Sequence, residues 1–183
     1  MLFSKTLLGV LAASALTSGL AQAAAKPPAK AVPVEFYSGR WYEIARTPNA
    51  GQRNCQAPTT DFATSTTKDK TGADFSVRQV CHRGSPLGPE KVFTTSGRIL
   101  PGSQNTRFTL SFLGGLKKQE YWVLDRAADG SWAIMATPGG NYVWLISRTP
   151  DLPVSTKAVA MERVKDLGYR KLEVPQHPPG AGA

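Results

Sequence analysis

Few side chains in this sequence could carry out bond-making chemistry, and they lie far apart along the chain. There are two histidines, His82 and His177, and two cysteines, Cys55 and Cys81. A catalytic cysteine needs a neighbouring base that a third group orients, and no histidine–acid pair stands near Cys55. Nucleophile-elbow, zinc-binding, phosphate-loop and dinucleotide-binding motifs are all missing from the sequence. The sequence therefore predicts no enzyme activity, no metal site and no cofactor.

Residues 1–23 have the pattern of a secretory signal peptide. Lys5 precedes a run of apolar and small residues, and Ala21-Gln22-Ala23 fits an Ala-x-Ala cleavage site. A cut after Ala25 fits the same rule. No cysteine lies near this junction, so the sequence offers no attachment point for a lipid anchor. We expect an exported, soluble protein, either periplasmic or secreted.

Export favours a disulfide between the two cysteines, because paired cysteines are the usual state in an oxidising compartment. The bond would attach the polar loop 49–58, which contains Cys55, to a later strand that ends near Cys81. The alternative is a free, reactive thiol at Cys55.

The charge of the chain limits its partners. Lysine and arginine number 22 against 13 acidic residues, a net charge of +9; removing Lys5 leaves 21 against 13, or +8. The basic residues are scattered and adjacent only at Lys117-Lys118 and Arg170-Lys171. Nucleic-acid sites place basic residues in runs with interleaved aromatics, so we expect no nucleic-acid partner. A positive surface of this kind would instead attract acidic ligands or make peripheral contact with an anionic membrane surface.

Short strands separated by turn residues run through most of the chain, which indicates a mainly β fold. The first strand lies within 36–48, and seven more are predicted at 59–67, 73–82, 91–100, 106–113, 119–126, 131–137 and 141–147. Eight consecutive antiparallel strands can close into an up-and-down barrel that has no exposed edge and leaves room for one small ligand. We expect one domain at 34–176, between a disordered arm at 24–33 and a disordered tail at 177–183.

The first strand is apolar on both faces. Alternation places Trp41, Glu43 and Ala45 on one face and Tyr42 and Ile44 on the other. A strand with apolar residues on both faces needs a cover on each side. We expect the barrel interior to cover the first face and a helix packed outside the barrel to cover the second.

A single C-terminal helix, predicted at 155–167, provides that outer cover. Ser155 can act as its N-cap, and Gly168 follows its last turn. Its apolar stripe should lie over the outward residues of the first and last strands, which are Tyr42, Ile44, Val143 and Leu145. Residues 169–174 can add a short final strand.

Three short motifs follow one another in a fixed order along the chain. They are Gly39-x-Trp41 followed by Tyr-Glu-Ile-Ala, Val-Leu-Asp125-Arg, and Tyr142-x-Trp144 leading to Ser-Arg148-Thr-Pro. Together they resemble the motifs of the lipocalins, most closely the bacterial and apolipoprotein-D-like branch, over residues 34–174. We also expect Gly39 to spare room where the chain passes under the barrel floor.

The resemblance implies a monomeric barrel that binds a small hydrophobic or amphipathic molecule. By that resemblance the ligand class is fatty acids, lysophospholipids or related lipids, with a role in membrane maintenance. It also implies that Arg148 lies across Trp41 and closes the barrel floor. Many bacterial members carry a lipid on a cysteine after the signal peptide, and this chain departs from that pattern.

Alternation, with Trp41 as the reference, assigns the residues that point into the barrel and would bind the ligand. They are Glu43, Phe62, Phe75, Val77, Phe93, Thr95, Phe108, Leu110, Phe112, Tyr121, Val123, Met135, Tyr142, Trp144 and Ile146, with Thr60 and Gln79 on the same faces. Apolar walls with a few polar groups suit a ligand cavity, although the same side chains could also fill the barrel as a core.

Glu43 has two possible roles inside the barrel. It can pair with a buried arginine or hydroxyl group, or it can hold the polar head of a ligand, and burial would shift its pKa in either role. At the level of function, the alternative to a carrier is a secreted protein-binding or inhibitor module that uses the loops at the open end. An enzyme ranks third, because a few lipocalins are enzymes.

Overall fold

A computed structural model describes residues 24–65 and 74–181. Eight strands form the fold: β1 (Gly39–Arg46), β2 (Cys55–Thr64), β3 (Phe75–Arg83), β4 (Glu90–Ile99), β5 (Arg107–Phe112), β6 (Lys117–Arg126), β7 (Trp132–Ala136) and β8 (Val143–Ser147). Each strand pairs antiparallel with the next, and β8 pairs with β1, so the barrel is closed. The predicted eight-stranded up-and-down barrel is confirmed. The predicted signal peptide and the turn at 68–72 lie outside the described residues.

The strand order gives the barrel two different ends. The loops 47–54, 84–89, 113–116 and 137–142 meet at one end, which we call the open end. At the other, closed end the chain enters through a 3-10 turn, Val34–Tyr37, whose Phe36 and Tyr37 are buried. Gly39 then starts β1 with a φ of +72°. A Cβ there would lie 3.5 Å from Arg148 Nη1, an ordinary contact, so Gly39 is required by its left-handed backbone and not by lack of space.

The apolar residues form two separate cores. The inner core fills the closed end of the barrel and includes Trp41, Phe62, Phe75, Val77 and Phe108. The outer core lies between the barrel wall and helix α1 (Val154–Asp166) and includes Tyr42, Ile44, Val143, Leu145, Ala160 and Val164. The predicted helical cover over the first and last strands is therefore confirmed.

A β-bulge interrupts β1 where it pairs with β8. The register shifts between Glu43 and Ala45, and both Ile44 and Ala45 join the outer core. The prediction that Ala45 shares the inward face of Trp41 is wrong, because one extra residue in a strand reverses the faces of the residues after it. The same shift brings Arg46 into the barrel, where it is buried.

Helix α1 begins one residue earlier than predicted. Pro153 occupies the N-cap position and no side chain caps the first turn, so the predicted N-cap role of Ser155 is wrong. Gly168, with a φ of +102°, follows the helix as predicted. The predicted strand at 169–174 is reduced to one antiparallel bridge between Arg46 and Glu173. In the described ranges no helix is long and apolar enough to cross a membrane.

Both terminal segments pack more closely against the barrel than their composition predicts. In the arm, Ala25 and Val32 are buried, and their backbone N–H groups donate to the carbonyl oxygens of Pro138 and Gln104. In the tail, the ring of His177 lies 2.8 Å from the backbone oxygen of Glu43. These contacts depend on surfaces that exist only after the barrel has folded, so composition does not reveal them.

Candidate functional site

A cavity of about 300 Å³ opens at the open end of the barrel. Eleven of the fifteen predicted inward residues line it: Glu43, Phe62, Val77, Phe93, Phe108, Leu110, Phe112, Tyr121, Met135, Trp144 and Ile146. Thr60 and Gln79, which share those faces, line it as well. The walls are mainly aromatic and aliphatic, so the cavity favours an apolar ligand.

Two predicted residues point inward but lie outside the cavity lining. Phe75 and Val123 are buried in the inner core. The ring of Phe75 stacks on Tyr37, with centroids 4.8 Å apart, and a Cβ on Gly97 would meet the ring of Phe75 at 2.1 Å. The aromatic cluster therefore fills the closed half of the barrel, and the cavity occupies the open half.

Two other predicted residues are placed differently. Tyr142 precedes β8, is 40% exposed, and does not line the cavity. The strand begins at Val143, so alternation does not extend to Tyr142. The hydroxyl of Thr95 donates to the backbone oxygen of Ser111 on β5, so it bonds to the barrel wall and not to the cavity. The sequence prediction that these two side chains line the cavity is wrong.

The lining also contains residues outside the predicted set. They are Asn49, Gly51, Gln52, Cys55, Pro58, Val80, Cys81 and Lys91. Asn49 to Gln52 belong to the loop after β1, which folds over the opening, and no periodicity applies to a loop. Pro58 and Val80 lie beside an irregularity in the pairing of β2 with β3, between Gln56 and Thr59. Cys81 follows inward Gln79 by two residues and Lys91 precedes inward Phe93 by two, so the period of two within the predicted strands was the signal for both. For the loop residues the only signal in the sequence was the density of polar residues.

A polar network occupies one side of the cavity. Arg46 Nη1 donates to Glu43 Oε1 over 2.6 Å, and Gln52 Nε2 donates to Glu43 Oε2 over 2.7 Å. Gln52 Oε1 in turn accepts from Trp144 Nε1 and from Asn49 Nδ2, each over 2.8 Å. The loop is thus bonded to strands β1 and β8, and its polar groups face the apolar walls.

Burial raises the pKa of Glu43, while the Arg46 guanidinium and the hydrogen bonds from Arg46 and Gln52 oppose the shift. Both carboxylate oxygens have hydrogen-bond donors within the protein. Arg46 is also engaged, with the carboxylate of Glu173 at 3.2 Å and the carbonyl oxygen of Cys55 at 3.1 Å. The arrangement therefore fits the first predicted role of Glu43, as the partner of a buried arginine.

An aromatic wall runs from the inner core to the rim. Phe108 stacks on Tyr121 with centroids 5.5 Å apart, and Tyr121 lies 5.7 Å from Trp144. Across the cavity, the ammonium of Lys91 lies 4.5 Å from the ring centre of Phe93. Lys91 is thus a cation at the edge of an apolar cavity, held in part by a cation–π contact.

The Cys55–Cys81 disulfide joins β2 to β3 beside the cavity, with the two Cα atoms 5.4 Å apart. This confirms the predicted pairing and contradicts the alternative of a free Cys55 thiol. No group of three or more metal-ligating side chains occurs in residues 24–65 and 74–181.

At the closed end, the guanidinium carbon of Arg148 lies 3.8 Å from the ring centre of Trp41. Arg148 also donates to the backbone oxygens of Ser38, Arg40 and Glu35. The expected stacking of these two motif residues is confirmed, and Arg148 fastens the entering chain to the end of β8.

The second motif contributes an ion-pair cluster outside the barrel. Asp125 Oδ1 lies 2.7 Å from Lys30 Nζ, and Asp125 Oδ2 lies 2.5 Å from Arg163 Nε. Burial alone would raise the pKa of Asp125, but the hydrogen bonds from Lys30, Arg163 and the backbone N–H of Arg126 outweigh it and lower the pKa. Asp125 thus connects the N-terminal arm, the barrel and helix α1.

Comparisons with known proteins agree with this geometry. Residues 32–178 match the family described as the lipocalin-like domain. The outer membrane lipoprotein Blc of Vibrio cholerae serotype O1 is 26% identical over 136 residues, which cover 73% of this chain and 74% of that protein. Temperature-induced lipocalin-1 of Arabidopsis thaliana is 25% identical over 156 residues, with 76% and 75% covered.

Solved structures show the same fold at lower identity. Insecticyanin from the tobacco hornworm Manduca sexta superposes with a TM-score of 0.64 at 18% identity, covering 85% of this chain and 86% of that one. The cockroach allergen Per a 4 gives a TM-score of 0.62 at 16% identity, with 86% and 96% covered. From its motifs, its closed barrel and the family match over residues 32–178, this chain belongs to the lipocalin family, whose members bind small hydrophobic ligands.

Proposed function

We propose that this protein is an exported carrier that binds one small amphipathic lipid, of the fatty-acid or lysophospholipid class, in the barrel cavity. The observation that carries the proposal is the composition of the cavity. Its volume is about 300 Å³ and its walls are aromatic and aliphatic, while the polar Glu43–Gln52–Trp144 network and Lys91 lie near the opening. An acyl chain would lie along the apolar walls, and a polar head would remain at the open end.

The charge at the rim favours an anionic head group. Lys91 lines the cavity and has no ion-pair partner among the described residues. Glu43 is buried deeper and its charge is matched by Arg46, so it does not repel a carboxylate or phosphate at the rim. A fatty acid or a lysophospholipid has the required combination of one apolar chain and one anionic group.

The cavity supports a carrier over a protein-binding or inhibitor module, since such a module has no need of an unfilled interior. Family members are generally binding proteins, and the described residues contain no cluster suited to metal catalysis.

Export, solubility and a monomeric state remain parts of the proposal, as does membrane maintenance. The Vibrio relative is an outer membrane lipoprotein by name, so cell fractionation is the check on the location proposed for this chain.

The direct test is native mass spectrometry of freshly purified protein, followed by displacement of a fluorescent fatty acid. We expect a lipid-sized adduct that fatty acids replace. Leu110→Trp would fill the cavity and should abolish binding, whereas Val159→Trp on the exposed face of helix α1 should leave it unchanged. Absence of any adduct and of any displacement would overturn the proposal.

A further inference from the structure

Large apolar side chains stand in solvent on the loops of the open end. Leu87 is 84% exposed, Leu113 is 77% exposed and Leu116 is 91% exposed. Leu87 lies on the β3–β4 loop and the other two on the adjacent β5–β6 loop. We call these three residues the leucine rim. Single exposed apolar residues are ordinary on protein surfaces, but several at one end mark an interaction surface.

The β5–β6 turn holds its two leucines in place through an uncommon backbone. Leu113 has a φ of +53°, and Gly114 and Gly115 have φ values of +67° and +97°. A bulky residue in the left-handed region is unfavourable by itself. The backbone N–H of Leu116 donates to the carbonyl oxygen of Leu113 over 3.4 Å, which closes the turn with both side chains outward.

The β3–β4 loop is also preformed. The backbone N–H of Arg83 donates to the carbonyl oxygen of Pro89, and that of Gly88 donates to Ser85, each over 3.0 Å. His82 Nδ1 donates to the carbonyl oxygen of Gly88 over 3.0 Å. A Cβ on Gly88 would meet the backbone oxygen of Arg83 at 2.1 Å, so the tight turn needs glycine. Leu87 is therefore presented on a fixed loop.

Positive charge surrounds the leucine rim. Lys117 and Lys118 directly follow Leu116, are exposed, and form no ion pair within the described ranges. Lys91 lies at the start of β4, next to the loop that carries Leu87. Glu90 is the acid beside that loop, and Arg78 at 4.0 Å partly offsets its charge. A surface that combines exposed leucines with lysines matches the boundary between acyl chains and anionic head groups.

We infer that the leucine rim docks on an anionic lipid bilayer, with Leu87, Leu113 and Leu116 entering the head-group boundary and Lys117 and Lys118 facing lipid phosphates. Docked in this way, the cavity opens directly onto the bilayer. A lipid could then enter or leave the barrel without crossing water. The purpose of docking rests on the proposed function, but docking itself is measured on protein without a cavity ligand.

The test is sedimentation of the full mature chain with vesicles of phosphatidylcholine alone and of phosphatidylcholine mixed with phosphatidylglycerol. We expect binding to the mixed vesicles, weakened by high salt. Leu113→Ser/Leu116→Ser should weaken that binding about tenfold, by loss of apolar insertion. Lys117→Gln/Lys118→Gln should weaken it about tenfold or more, and only on anionic vesicles.

Matched controls lie on helix α1, away from the open-end loops. Val154→Ser/Val159→Ser removes two exposed apolar side chains, and Lys157→Gln/Lys165→Gln removes two positive charges. Both controls should bind vesicles like the wild type. Melting temperatures of all four variants verify that each is folded.

The inference is overturned if the rim variants bind mixed vesicles as tightly as the wild type, or if the helix variants lose binding to the same degree. It is also overturned if light scattering shows a dimer that Leu113→Ser/Leu116→Ser dissociates while vesicle binding is unchanged, since the rim would then cover a second copy. A lipid adduct in native mass spectrometry without vesicle binding would sustain the proposed function and reject docking alone.

Discussion

Arg46 lies inside the barrel beside Glu43, with Nη1 2.6 Å from Oε1, although the two residues are three apart on one strand. In a regular strand residues i and i+3 point to opposite faces. The bulge between Glu43 and Ala45 adds one residue to the strand, so the side chains of Glu43 and Arg46 both lie on the cavity side. The loop that covers the cavity is bonded to this pair through Gln52.

Arg46→Met should destabilise the protein strongly, because it leaves Glu43 buried without its cation. Removing one partner of a buried ion pair costs about 3–5 kcal/mol, and we expect a loss near 3 kcal/mol in urea unfolding. Glu43→Gln/Arg46→Met should recover part of that loss, because no buried charge is left unpaired. A double variant no more stable than Arg46→Met would contradict this account.

Trp144→Ala should weaken fatty-acid binding about tenfold or more, since the lost apolar contact is on the order of 1–3 kcal/mol. Trp144→Phe should retain most of the affinity but release Gln52, whose Oε1 accepts from the indole N–H. Displacement of a fluorescent fatty acid measures the affinity of both variants. Trp122→Phe, on the outer side of the barrel, is the control and should bind normally. Unchanged binding by Trp144→Ala would place the ligand elsewhere.

Arg148→Ala should lower the melting temperature by several degrees without changing ligand affinity. Its guanidinium covers Trp41 at 3.8 Å and bonds the entering chain. A cation–π contact contributes about 0.5–2 kcal/mol, and 1 kcal/mol shifts the melting temperature of a domain this size by roughly 2–6 °C. Thermal unfolding followed by circular dichroism is the measurement. Arg53→Ala, an exposed arginine, should melt like the wild type.

Cys55→Ser/Cys81→Ser should reduce the free energy of unfolding by roughly 3 kcal/mol, the chain-entropy value for a loop of this length. The two cysteines are 26 residues apart. Thiol counting on unfolded, unreduced wild-type protein should find no free thiol. Two free thiols, or a disulfide-linked dimer, would contradict the pairing.

His177 should make stability depend on pH. Burial lowers its pKa below the ordinary value of 6.5, while the bond to the Glu43 backbone and the charges of Asp151 and Lys157 act on it more weakly. Because Nε2 donates to that carbonyl oxygen, Nδ1 is the site that would be protonated, and it is buried without a partner among the described groups.

The direction of this pH dependence follows from the numbers of protons that the folded and unfolded states bind. As pH falls through about 6.5, the unfolded histidine gains a proton that the folded one resists, so stability decreases. The slope of the free energy of unfolding against pH should be a fraction of the value for one full proton, which is about 1.4 kcal/mol per pH unit, because the ring is only partly buried. His177→Gln keeps a donor without titrating, and its stability should change less between pH 7 and 5. Equal slopes for the two proteins would contradict this role.

Local pattern determined most of the architecture. The turn residues and the period of two indicated eight strands in order. The apolar residues on both faces of the first strand indicated a helical cover, and the structure packs Val143 and Leu145 in one core with that helix. The pairing of Trp41 with Arg148 followed from family motifs. Alternation also reached Phe108, Tyr121 and Trp144 on the cavity wall, because a side chain's face in a regular strand depends only on its neighbours.

The tertiary structure decided the features that depend on contacts between residues far apart in the sequence. The bulge that turns Ala45 outward and Arg46 inward is defined by pairing between β1 and β8, which are far apart in sequence. The loop bearing Asn49 and Gln52 takes its position from bonds to Glu43 and Trp144. Val32 is buried only because the folded β4–β5 loop accepts it. Each contact joins groups that meet only in the closed barrel, so a local pattern carries no record of it.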